Sequence, residues 1–330
     1  MSKSWMGLIA ALCMVAGCGK APETGGGAAS AKATPAKAGK QIVVGLVSPA
    51  LTSTFHVTLV RAAEAEGTKL GWKVESLAPD RETNFTAQVN IVESLVTRKV
   101  DAISICAINQ AAVVGAVERA NEAHIPIFVH NSLTDLPGGK VEAYIGYNQR
   151  KAGQLCGEYA AELLKKKYGD YKGETYVLLG IPGEHSTERS GGFAEALKKF
   201  PGIRIVAMTP ANWERQQGMN VAAAAMKAHP NVDLFFGCSD AMDQGAAQAA
   251  IEAGKKIFTI GIDGNPDTLD DVQNGTVTAT CAVFPDEMGR AAIRAIKNFL
   301  DGKKVGPKVE TPIKIIDKSN VTELLVKTAK

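Results

Sequence analysis

From Ile42 onward the chain repeats one unit: a short β-branched run followed by a helical stretch. The runs include IVVGLV (42–47), WKVESL (72–77), AISICAI (102–108), IPIFVH (125–130) and YIGY (144–147). TYVLLG (175–180), IRIVAM (203–208), VDLFFG (232–237), KIFTIGI (256–262), VTATCAV (277–283) and IKII (313–316) continue the series. The stretches between them are predicted helices at 56–70, 84–98, 110–122, 150–167, 187–199, 214–228, 240–253, 266–273 and 286–301. Strands with no polar alternation are buried on both faces, as parallel sheets require. Strand–helix alternation at this spacing builds right-handed βαβ units. About twelve strands are too many for one small sheet, so the chain is read as α/β with two doubly wound parallel sheets.

The first eighteen residues, MSKSWMGLIAALCMVAGC, obey different rules. Lys3 is their only charge, and the apolar stretch from Trp5 to Ala16 is short of the roughly 20 residues that span a bilayer. It has the form of the apolar region of a secretory signal. Its end, Val15-Ala16-Gly17-Cys18, resembles the lipobox of bacterial lipoproteins, which implies cleavage after residue 17 and acylation of Cys18. Residues 19–40 hold seven Ala, five Gly, four Lys and two Pro, with no large apolar side chain. Such a segment has nothing to bury against its ordering entropy, and it reads as a tether. The protein is thus expected at a bacterial membrane, in the periplasm or on the cell surface, anchored through Cys18 with more than one acyl chain.

The net charge of +3 sits in that leader and tether. Residues 41–330 carry 32 basic and 33 acidic side chains. A nearly neutral body argues against a nucleic-acid partner, which selects concentrated basic charge. No G-x-S-x-G, H-E-x-x-H or G-x-x-x-x-G-K-[ST] pattern is present, so the sequence offers no enzyme motif.

In open α/β sheets, ligands bind beyond the carboxyl ends of the strands. The residues that follow the predicted strands are rich in hydroxyls, amides, Asp, one Arg and two aromatics, an inventory suited to a polyol. Three segments then carry a resemblance: HSTERSGGFAEAL (185–197), FFGCSDAMDQGAAQA (235–249) and GIDGNPDTLDDVQNGTVTATCAVFPDEMG (261–289). In this order the chain resembles, over about 41–317, the type I periplasmic solute-binding proteins of ABC transporters, especially the ribose and galactose binders.

The resemblance implies two lobes joined by a three-segment hinge, with crossovers near 147–149, 276–280 and 305–312. The N-lobe is then 41–147 plus 280–306, and the C-lobe 148–279 plus 307–330. It implies a monomer that captures a sugar or related polyol in the interlobe cleft and hands it to a membrane permease. A ligand-sensing component serving a sensor kinase or chemoreceptor is the alternative use of the same closed shape. No cofactor and no catalysis are implied.

Site roles carry over residue by residue. Arg189 occupies the family's S-x-x-R-x-x-G-F sugar-binding position, and Asp263 that of G-I-D-G. Phe55 and Trp213 fall where the family places aromatic rings. His56, Asn131, Ser132, His185, Ser239 and Asp240 complete the candidate ligand contacts. Here this chain departs from the ribose pattern: Asn131-Ser132 replaces an Asp-Arg pair, His56 an aromatic, Ser239 an Asn and Val283 a Gln. A plain ribose or glucose site does not follow. His56, His130 and His185 fall on one rim but lack metal-ligand spacing, so no metal is expected. Of Cys106, Cys156, Cys238 and Cys281, three lie on predicted buried strands, where Cys packs as a small apolar residue.

Overall fold

The alternating runs pair into two six-stranded sheets in a computed structural model that describes residues 40–328. The expected leader 1–17, the acylated Cys18 and all of the tether but Lys40 lie outside the described residues, as do 329–330. In chain order, β1 (Val43–Val47), β2 (Lys73–Leu77), β3 (Ala102–Ile105), β4 (Ile127–His130) and β5 (Ala143–Gly146) come first. They are interleaved with α1 (Thr54–Lys69), α2 (Phe85–Thr97) and α3 (Gln110–Glu122). A second series follows: α4 (Gln149–Tyr168), β6 (Gly173–Leu179), α5 (Glu184–Leu197), β7 (Ile203–Pro210), α6 (Arg215–Ala228), β8 (Leu234–Gly237), α7 (Asp240–Glu252), β9 (Phe258–Asp263), α8 (Pro266–Asn274) and β10 (Ala279–Ala282). The chain closes with α9 (Pro285–Leu300), β11 (Lys308–Glu310), β12 (Lys314–Asp317) and α10 (Val321–Thr328). Among the described residues, no helix is long and apolar enough to cross a membrane.

The first sheet runs β2-β1-β3-β4-β5-β11 and is parallel throughout. The second repeats that order as β7-β6-β8-β9-β10-β12, with only β12 antiparallel. Central strands β3, β4, β5, β8 and β10 are buried along their whole length, which is why their sequences do not alternate. Edge strands β2 and β7 are only half covered. Helices α1 and α9 pack together in the first lobe, and α4 with α5 in the second. The α4–α5 crossing brings backbones into contact. A Cβ on Gly153 would lie 2.0 Å from the Arg189 carbonyl oxygen, so only glycine allows the approach that seats α5. Phe193, one turn further along α5, stacks on Phe236 of β8 at 4.2 Å between ring centroids.

The chain passes between the sheets three times: at 147–148, at 283–284 and at 311–313. The second passage falls later than the 276–280 read from sequence. Ala279–Ala282 pair with Ile260–Asp263 and with β12, so β10 closes the second sheet instead of joining the first. The boundary at 306–307 moves likewise, because Lys308–Glu310 pair with Tyr144–Gly146. An apolar run such as A-T-C-A carries no mark of which sheet will accept it. Neither β11 nor α10 was foreseen: β11 holds one apolar residue in three and is a strand only through its partner.

Candidate functional site between the sheets

Both sheets share the order 2-1-3-4-5, whose reversal opens a crevice between the first and third strands of each series. The two crevices face one another. Between them lies a cavity of about 680 Å³ of empty space, its mouth included. The loops after β1, β2, β3 and β4 form one wall, and those after β6, β7, β8 and β9 form the other.

Arg189 is the centre of the second wall. The residue is 4% exposed. Nε donates to Gln149 Oε1 at 2.8 Å, and one terminal nitrogen donates to the Cys238 carbonyl at 2.7 Å. The rings of Tyr147 and Trp213 lie 5.8 and 5.4 Å from its central carbon. Asp263 Oδ1 stands 3.6 Å from the same terminal nitrogen. Burial pushes the Asp263 carboxyl well up, and the neighbouring Arg189 charge opposes that rise. The result is a fixed donor fork beside a fixed acceptor, which can bond adjacent hydroxyls of one ligand. Asp263 does not cap the helix after it: Asn265 is the residue at the start of α8.

Trp213 reaches the cavity through two local devices. Its own backbone has φ of +67°, uncommon for a bulky residue. Gly180, at the end of β6, leaves the space for the indole; a Cβ there would stand 2.0 Å from a ring carbon. Asn131, also left-handed at φ +65°, turns the chain at the end of β4. Its carbonyl accepts from Gln149 Nε2 at 2.9 Å and lies 2.9 Å from His185 Nε2. A carbonyl only accepts, so Nε2 of His185 carries the proton and Nδ1 is an acceptor. Backbone strain of this kind gathers at sites that hold ligands.

The first wall adds Phe55 and His56 from the start of α1, packed edge to face at 5.1 Å. Burial first, and then the nearby His130, His185 and Arg189, lower the pKa of His56 to about 3. Burial does the same to His130, which lies behind the wall with Nδ1 2.9 Å from Ser104 Oγ. The imidazoles are therefore neutral hydrogen-bonding groups. Among the described residues, no three His, Cys, Asp or Glu side chains are arranged to hold a metal ion.

Eight of the ten candidate residues line the cavity: Phe55, His56, Asn131, His185, Arg189, Trp213, Ser239 and Asp263. Two do not. The buried Asp240 turns away, with Oδ2 accepting from the backbone N–H groups of Gly264 and Asn265 at 2.9 Å each and Oδ1 accepting from Thr280 Oγ1 at 2.6 Å. It holds the β9–α8 turn that presents Asp263. Ser132 donates instead to Glu184, at 2.8 Å. Thr134 Oγ1 and Gln110 Nε2 reach the same carboxylate at 2.7 and 2.9 Å. These contacts tie the first turn of α5 to the opposite lobe.

Sequence reasoning missed Glu82, which lines the cavity from the loop after β2. Its Oε1 lies 3.9 Å from His56 Nε2, and burial raises its pKa to about 7. The strand-end rule applied to β2 would have found it.

Comparison with known proteins places this geometry. A family model described as a periplasmic binding protein domain matches residues 44–304. The ribose import binding protein of Bacillus subtilis is 30% identical over 286 residues, covering 86% of this chain and 90% of that protein. The D-allose-binding periplasmic protein of Escherichia coli is 29% identical over 287 residues, covering 84% and 91%. A solute-binding protein of an ABC transporter from Actinobacillus succinogenes, solved with bound D-allose, superposes with a TM-score of 0.80 at 26% identity, covering 86% of this chain and all of that one. The relatives are binding proteins of transporters, and this chain is a binding protein, not an enzyme. On a match that runs through both sheets and through every loop lining the cavity, the chain belongs to the periplasmic binding protein domain family.

Proposed function

We propose that the chain is the extracytoplasmic binding component of an ABC importer, and that its cavity takes a sugar or related polyol. The observation that carries this reading is Arg189: a buried guanidinium held by Gln149 and the Cys238 carbonyl beside two rings, with a carboxylate 3.6 Å away, at a small-molecule cavity. Such a pair matches vicinal hydroxyls, and Trp213 supplies a face for the apolar side of a sugar ring. The named ligands of the relatives, ribose and D-allose, support it. Closure of the lobes over the ligand is the signal a permease reads, because contacts to both walls favour the closed state. The V-A-G-C end of the leader supports anchoring of the monomer at the membrane through acylated Cys18.

A melting screen of the purified protein against pentoses, hexoses, deoxysugars, sugar alcohols, inositols and nucleosides tests the class. A ligand at 100 times its Kd adds about 2.7 kcal/mol, a readily measured rise in Tm. A rise with a nucleoside and with no polyol would overturn the sugar assignment.

A further inference from the structure

The cavity does not end at its mouth. A second, outer cleft of about 1810 Å³, its open mouth included, adjoins it and shares Ser53, Glu82, Ile181, Pro182, Trp213 and Ala241 with it. The enclosure is one-sided. On one flank the lobes are shut by Glu184, which accepts from Gln110, Ser132 and Thr134 across the gap. On the other flank they stand apart, between Thr52 and Thr83 on the first lobe and Asn212, Glu214, Arg215 and Gln217 on the second.

That outer lining is polar and already balanced within itself. Arg81 pairs with Asp80 at 3.1 Å, and Arg215 with Asp267 at 2.7 Å. Asn212 Nδ2 donates to Gln217 Oε1 at 2.8 Å, and Gln217 Nε2 to Glu214 at 2.7 Å. With both arginines paired, Glu214 is the cleft's remaining acid, beside Glu82, whose carboxyl burial pushes up to about 7. Hydroxyls, amides and acids of this kind bond hydroxyl groups and repel an anion. Trp213 stands on the boundary, lining both spaces.

We propose that the ligand is a neutral glycoside: one sugar ring fills the inner cavity, and a second polar unit joined to it lies in the outer cleft. This rests on the sugar reading above and names the class of sugar. A free monosaccharide would leave the outer lining unused. A sugar phosphate would set its charge against Glu214.

Calorimetry on the purified protein tests this with D-ribose, D-glucose and D-galactose, methyl β-D-galactoside, lactose, melibiose, trehalose, sucrose and galactose 1-phosphate. The expected result is a neutral disaccharide that binds at least tenfold tighter than the free form of either of its rings, with the phosphate weakest. Glu214→Gln and Arg215→Ala should bring that affinity ratio back towards one. Monosaccharides that bind as tightly as every disaccharide, or a phosphate that binds best, would overturn the proposal and leave the sugar site standing. No binding by any of these carbohydrates would bring down both.

Discussion

Arg189 shows how a side chain is fixed in place by what surrounds it. The sequence motif places an Arg on α5, but its use depends on three anchors distant in the chain: Gln149, Cys238 and Asp263. Held this way, the guanidinium loses little further freedom when a ligand arrives, so its hydrogen bonds contribute more of their full strength. Arg189→Ala should weaken ligand binding by about 1.5–3 kcal/mol, the loss of a charge-assisted hydrogen bond. Arg189→Lys should recover only part of it, since an ammonium cannot bond two hydroxyls in one plane. Calorimetry with the best ligand of the melting screen reads both, and unchanged affinity in the Ala variant would remove Arg189 from the site. Asp240 illustrates the converse. Its residue type and its place after β8 both suit a ligand contact, yet three donors, two from the β9–α8 turn and one from β10, already occupy its oxygens. Nothing in the local sequence distinguishes it from Asp263; the difference is which way the buried carboxyl faces.

Among the elements, α5 departs from its sequence reading in an instructive way. The pattern predicts a start at 187, and the helix begins at Glu184. Gly183 offers no side-chain cap, so the usual N-terminal signal is missing. The three added residues bring Glu184 and His185 into the first turn, where they reach the loop after β4. Ser132 also finds its role there, as a donor to Glu184. Glu184→Ala removes the shared acceptor of three cross-lobe bonds. We expect the ligand-free protein to open, with a larger radius of gyration by small-angle scattering, and the Kd to rise by about tenfold, the equivalent of ~1.4 kcal/mol. No change in either quantity would mean that these contacts follow closure and do not hold it.

At the scale of the whole molecule, the fold buries ionisable groups in and around the interlobe space that would be solvated in an unfolded chain. His56 and His130, each with a pKa lowered from 6.5 to about 3, favour the folded state only while neutral. Their contribution is fully present above pH 6.5 and is lost as the pH falls towards 3. Glu82 and Asp240, raised to about 7 and about 6, act with the opposite sign: each loses stability as the pH rises from its ordinary value to its raised one. A difference measurement separates the two. Between His56→Gln/His130→Gln and the parent protein, the gap in Tm should shift in favour of the variant as the pH drops from 6.5 to 4, read by circular dichroism. A gap that does not change with pH would show that the histidines are not held neutral.

Much of this architecture was legible in the chain. The alternation of apolar runs and helices follows from burial on both faces of a parallel sheet, a constraint every strand must satisfy locally. Because ligands in such sheets sit at strand ends, the same reading reached eight residues that line the cavity. What it did not reach depends on partners distant in sequence. The sheet that receives Ala279–Ala282 and the strand made of Lys308–Glu310 are settled by pairing and packing across the molecule. So is the conversion of Ser132 from a ligand position into a latch. Sequence by itself determined the two α/β sheets and the strand ends where a site would form, because burial and chain geometry act residue by residue. Only the tertiary structure decided which side chains face the cavity and which flank of the cleft stays open, because a buried polar group takes its direction from whichever partner the fold brings within hydrogen-bonding distance.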